Sequence, residues 1–171
     1  MNLSAPPGSG WARAAEAGLS FRRATDADLP FLARVYASTR EEEIAATPWS
    51  EAQKAQFLDM QFRAQHTDYR KNYSQAEWLV TMCGGEEIGR LYLGHWPSEH
   101  NIIDIAFLPQ HRGKGFGTAL MLDLLDEAAA AGKAVSIHVE KSNPAMRLYR
   151  RLGFATVEDQ GVYDLLRWSA A

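Results

Sequence analysis

Residues 102–118, IIDIAFLPQHRGKGFGT, constrain the fold of this chain more than any other stretch. Residues 102–108 are apolar or β-branched except at Asp104 and end at Pro109, the pattern of a buried strand. Gly113, Gly115 and Gly117 follow at alternate positions, and an apolar period from Phe116 to Ala131 predicts a helix. A strand, a glycine-rich turn and a helix in that order make a backbone cradle for an anion. Glycine permits positive φ and close approach, the turn's N–H groups point inward, and the helix N-terminus adds about half a positive charge. Arg112 and Lys114 flank this cradle. A phosphate-bearing ligand is the expected occupant.

Two common phosphate loops fail on spacing. A Walker loop places Ser or Thr after its Gly-Lys, whereas Lys114 is followed by Gly115. A dinucleotide fingerprint counted from Gly113 would need a third glycine where Thr118 stands. A turn that merely joins strand to helix is the plainer reading of the glycines.

Composition narrows the rest. A length of 171 residues predicts a single domain. The net charge of −3 gives no basic footing for nucleic acid. No run approaches the roughly 18 apolar residues of a membrane span, and the N-terminus lacks a secretory core. One cysteine, Cys83, excludes an internal disulfide and any multi-cysteine metal site. The expectation is a cytoplasmic protein without a metal.

The chain otherwise reads as alternating elements. Residues 1–18, rich in Pro, Gly, Ser and Ala, predict a flexible N-terminal segment, with one domain over 19–171. Strands are expected at 19–23, 77–83, 86–95, from about 101 to 108, and at 134–139, 155–159 and 162–168. Helices are expected up to Thr39, from the capping box Ser50-x-x-Gln53 to about His66 with Phe57, Leu58, Met60 and Phe62 buried, over 116–131, and from Asn143-Pro144 to Gly153. Residues 68–74 read as loop. In the long helix Leu120, Leu124 and Ala128 form the inward row, with Asp123 and Glu127 facing away. A parallel strand pair around a crossover helix, set among hairpins, predicts an α/β class with a mixed, mostly antiparallel central sheet and helices on both faces. Glu41, Glu42 and Glu43 form either a solvated helix end or an acidic rim that attracts a cationic amine.

Two motifs then point to a family. Gln110-x-x-Gly113-x-Gly115 resembles the pyrophosphate loop of the GNAT superfamily of N-acetyltransferases. Residues 143–154, NPAMRLYRRLGF, resemble that family's Asn-x-x-Ala-x-x-Leu-Tyr-x-x-Leu-Gly-Phe signature, with the Ala one position early. Their order and spacing fit as well. The resemblance implies a GNAT fold with a splayed parallel pair, and acetyl-CoA as cosubstrate. Arg112, Gly113, Lys114, Gly115, Phe116, Gly117 and Thr118 would hold its pyrophosphate. The edge at Ile105, Ala106 and Phe107 would hold the pantetheine arm, together with Asn143. Tyr149, which on its own reads as a core tyrosine, would serve the leaving thiolate. A small-molecule or peptide amine is the implied acceptor, and a homodimer is one arrangement such enzymes adopt. For the proton acceptor, the resemblance implies a carboxylate early on this strand, in the parity of Glu99 or Asn101; Asn101 cannot act as a base, which leaves Glu99, with His100 and Asp104 as alternatives if a bulge shifts the phase. A catalytically idle acyl-CoA sensor or interaction module on the same fold is the competing reading.

Overall fold

The computed structural model describes residues 7–170. A seven-stranded sheet runs in the order β1-β2-β3-β4-β5-β7-β6, built from β1 (Leu19–Arg23), β2 (Glu77–Cys83), β3 (Glu86–His95), β4 (Glu99–Phe107), β5 (Ala134–Glu140), β6 (Ala155–Gln160) and β7 (Tyr163–Trp168). Neighbours pair antiparallel except β4 with β5, so the expected mixed sheet is present. The helices are α1 (Ala12–Glu16), α2 (Leu29–Thr39), α3 (Glu41–Ala45), α4 (Glu51–Asn72), α5 (Phe116–Ala130) and α6 (Met146–Arg151). None is long and apolar enough to cross a membrane.

The sheet separates two apolar layers. On one face Leu91, Leu93, Ile102 and Val135 pack against Leu120, Met121, Leu124 and Ala128 of α5. On the other, Val80 and Tyr92 pack against Phe31, Leu32, Val35 and Tyr36 of α2 and Phe62 of α4. Both helix rows follow from the 3.6-residue period.

Five expectations are corrected. Residues 1–6 lie outside the described residues, but the remainder of the expected flexible segment is packed: Trp11 and Ala14 are buried against the α5 layer. Asp123 therefore does not face solvent. It is buried, and its carboxylate accepts the backbone N–H groups of Arg13 at 3.3 Å and Ala14 at 2.8 Å. That is the work of an N-cap performed from another element. Helix α4 continues to Asn72, because residues 68–72 contain no breaker and Asp68 accepts from Asn72 at 2.6 Å one turn on. Within α4 only Phe62 is buried, while Met60 lies 59% exposed, because this helix touches the sheet along a narrow line. The final short helix starts at Met146 rather than at Asn143-Pro144, which form a turn ahead of it.

Two irregularities shape the middle of the sheet. Pairing between β4 and β5 is confined to Glu99–Ile102 against Ala134–Ile137, and beyond it the strands part. Opposite β3, Tyr92 faces Asp104 while Leu93 faces Ile102, so Ile103 is an extra residue, a β-bulge. Ile103 and Ala106 consequently pack on the α2 face and Ile105 and Phe107 on the α5 face, where simple alternation would put Ile103 with Ile105. Gly89 meets the end of β4 closely: a Cβ there would run into the Ala106 carbonyl.

Candidate active site

The cradle has the predicted geometry. Gly113 and Gly115 adopt φ of 73° and 82°, and a Cβ on either would meet nothing within 4 Å, so the loop opens outward. The Arg112 amide donates to the Pro109 carbonyl at 3.2 Å, whereas the six amides of residues 113–118 donate to no backbone carbonyl outside a regular element. Phe116, Gly117 and Thr118 form the first turn of α5, whose N–H groups have no partner within the helix. Six adjacent donors at a helix N-terminus fit a pyrophosphate. The Arg112 guanidinium is engaged elsewhere: Nε donates to the Phe107 carbonyl at 2.9 Å and Nη2 to Ser38 Oγ at 3.2 Å, tying the loop to β4 and to the end of α2. Among the described residues Lys114 makes no ion pair, which leaves its charge for the ligand. Gly115→Val should fold, with strain of order 1–3 kcal/mol at the positive φ, while affinity for acetyl-CoA, read by calorimetric titration, falls at least tenfold.

From the cradle the chain leads back to β4. Past Ile102 its β5-facing edge carries no strand partner, so backbone groups of Ile105 and Ala106 lie along an open slot. Asn143 stands where β5 ends. Its Oδ1 accepts the Ala145 N–H at 2.8 Å, which fixes the turn before α6 and leaves the side-chain amide free. Helix α6 holds Tyr149 in the α5-side core, edge-on to Phe154 at 5.9 Å between centroids. Burial raises the Tyr149 phenol to about 12, and the Asp104 charge adds to the rise. Asp104 thus lies near enough for its charge to reach Tyr149.

Asp104 is 20% exposed and forms an ion pair with Arg90, whose side chain is 2% exposed. Arg90 Nη2 also donates to Gln65 Oε1 at 3.0 Å. The guanidinium carbon lies 5.0 Å from the Tyr92 ring centroid and 5.9 Å from that of Tyr36. Burial raises the Tyr69 phenol beside this group, and the Asp104 charge reinforces it.

Glu99 and His100 lie elsewhere. Glu99 begins β4, accepts from Arg167 Nε at 3.2 Å, and is separated from Asp104 by about 16 Å of strand. His100 is buried next to His95, with ring centroids 5.0 Å apart, and burial lowers its pKa. Both belong to the closed end of the parallel pair. The Glu41–Glu43 run forms the exposed first turn of α3, where Arg40 pairs with Glu43 at 3.2 Å and reaches across to Glu140 of β5 at 2.8 Å. Sequence reasoning passed over Arg90, although a lone arginine inside the apolar run Ile88–Leu93 was a readable signal.

These features are those of an anion cradle at a split sheet. Residues 36–154, well over half of the chain, match the Acetyltransferase (GNAT) family, and the chain belongs to that family. A stretch of 63 residues, 35% of this chain, is 43% identical to streptothricin acetyltransferase of Streptomyces lavendulae and covers 33% of that protein. Another of 86 residues, 44% of this chain, is 36% identical to the L-methionine sulfoximine/L-methionine sulfone acetyltransferase of Salmonella typhimurium and covers 48% of it. The chain therefore matches less than half the length of these curated relatives. The fold matches PaiA N-acetyltransferase from Thermoplasma acidophilum, solved in complex with coenzyme A, with a TM-score of 0.67 at 16% identity over 89% of this chain and 99% of that one.

Proposed function

We propose that this chain is a cytoplasmic N-acetyltransferase that moves an acetyl group from acetyl-CoA to a primary amine by direct attack. The observation that carries the reading is the run of six unengaged amides, 113–118, leading to an open strand edge that passes Asp104 and Tyr149. The coenzyme A seen with PaiA supports it. The curated relatives act, by their names, on acceptors as different as streptothricin and methionine sulfone, so kinship alone does not choose the acceptor.

Each group has a task. The amides of residues 113–118 and Lys114 hold the pyrophosphate. The Ile105–Ala106 edge and Asn143 hold the amide-bearing arm, which brings the thioester carbonyl between Asp104 and Tyr149. Asp104 takes one proton from the acceptor ammonium and releases it to water. The neutral nitrogen attacks the carbonyl carbon, and a strand N–H stabilises the oxyanion. As the C–S bond breaks, Tyr149 gives its proton to the sulfur; the second proton lost by the nitrogen returns to the phenol. The products are an N-acetyl amine and free coenzyme A thiol. Asp104 takes the proton-accepting role here in place of Glu99, because its charge reaches Tyr149 while Glu99 lies at the far end of the strand.

Acetyl-CoA at ~100 times Kd should stabilise the protein by about 2.7 kcal/mol, a rise in Tm of roughly 5–10 °C for a domain of this size. ATP at the same concentration should give little. The absence of a shift with acetyl-CoA would overturn the reading and leave an interaction module on the same fold.

A further inference from the structure

We infer that the acceptor is a zwitterion of the α-amino acid class, and that Arg90 binds its carboxylate. The inference rests on the acetyltransferase reading and adds the substrate class.

Arg90 is among the largest fully buried side chains of the protein, yet only Nη2 is occupied, by Asp104 and Gln65. Nε and Nη1 are buried and donate to nothing among the described residues, which leaves three N–H bonds of a cation without an acceptor. Unmade bonds to a buried charge are costly, and a fold retains them where something else completes them. Tyr36 and Tyr92 offer ring faces to the guanidinium, not a second anion. The missing partner is an acceptor oxygen with negative charge.

Charge balance says why the substrate should bring it. At rest Arg90 and Asp104 cancel. A simple ammonium ion would leave one uncancelled positive charge beside the Tyr36, Tyr69 and Tyr92 side chains. Once Asp104 accepted the proton, Arg90 would be a buried cation with no countercharge at all. An amine with its own carboxylate removes both faults: the site is neutral when the zwitterion enters, and Arg90 keeps an anion after the proton has moved. In an α-amino acid the two groups are two bonds apart, which matches an amine at Asp104 and a carboxylate at the guanidinium Asp104 already touches. Asp104 is itself partly exposed, so the ion pair is not sealed from solvent.

The test compares L-methionine, L-leucine and L-phenylalanine with their carboxamides, in acetylation of each by this protein with acetyl-CoA and in calorimetric binding to the protein loaded with coenzyme A. The acids should exceed the amides in kcat/KM by about 100-fold or more, and only the acids should bind measurably. In Arg90→Lys and Arg90→Gln the acid-to-amide ratio should collapse toward one, with the acetyl-CoA thermal shift retained as proof of folding. If neither variant folds, the acid–amide comparison on the unaltered protein decides alone. Equal use of acids and amides, or acetylation of n-butylamine with no use or binding of any amino acid, would overturn the inference and leave the acetyltransferase reading intact. Acetyl-CoA binding with no amine acetylated at all would bring down both.

Discussion

Tyr149→Phe should lower kcat by about 100-fold or more while acetyl-CoA affinity stays within a factor of two or three. The phenol's ring remains to fill the core against Phe154 and only its O–H is lost, so the cradle is untouched. What disappears is the proton offered to the departing sulfur, and a positioned general acid of this kind contributes on the order of 10²–10⁴. Rapid-quench turnover and a binding titration on the same variant separate the two effects. The unaltered enzyme carries a companion signature. With the phenol pushed up to about 12 by burial, the proton stays on Tyr149 through neutral and mildly alkaline pH. The kcat profile should therefore show no alkaline fall near 10, where an unburied tyrosine titrates. A variant with unchanged kcat would remove Tyr149 from the chemistry.

Asp104→Asn should injure both stability and rate. The substitution keeps shape but removes the anion beside a guanidinium that is 2% exposed. Breaking one side of a buried pair costs about 3–5 kcal/mol, which corresponds to a fall in Tm of roughly 10 °C or more for this size. The rate should drop a further 10² or more, because the nitrogen loses its proton acceptor. The two effects come apart in the double variant Asp104→Leu with Arg90→Met. Apolar groups in place of the pair should recover most of the stability, yet the protein should stay inactive. Recovery of activity in that double variant would assign the pair to the scaffold alone.

Much of the fold was legible because its signals are local. Gly84-Gly85 and Gly161 mark hairpin turns, the Ser50–Gln53 capping box opens α4, and the row Leu120–Leu124–Ala128 sets the face of α5. The cradle was legible for the same reason, since its glycines and helix start are contiguous. What escaped depends on partners distant in sequence. Asp123 looks like a surface residue on its own helix, and only α1, over a hundred positions earlier, makes it a buried cap. Met60 and Phe57 look like a core row until α4 is seen to bury Phe62 alone, with Leu58 and Tyr69 packed partly against the same layer. The bulge at Ile103 has no glycine or proline to announce it, and it shifts the face parity of Glu99–Ile103 relative to Asp104–Phe107. Arg90 was visible as a charge in an apolar strand, but its meaning required Asp104, Gln65 and two tyrosine rings, all brought by tertiary structure.

The same bulge divides one strand into two territories. Ahead of it, Glu99–Ile102 is bound on both edges and belongs to the load of the sheet; behind it, Asp104–Phe107 is bound to β3 alone and leaves its other edge open. Change in the first territory acts through the pairing of the sheet, whereas change at Asp104 in the second acts on stability and site together, through its ion pair with Arg90.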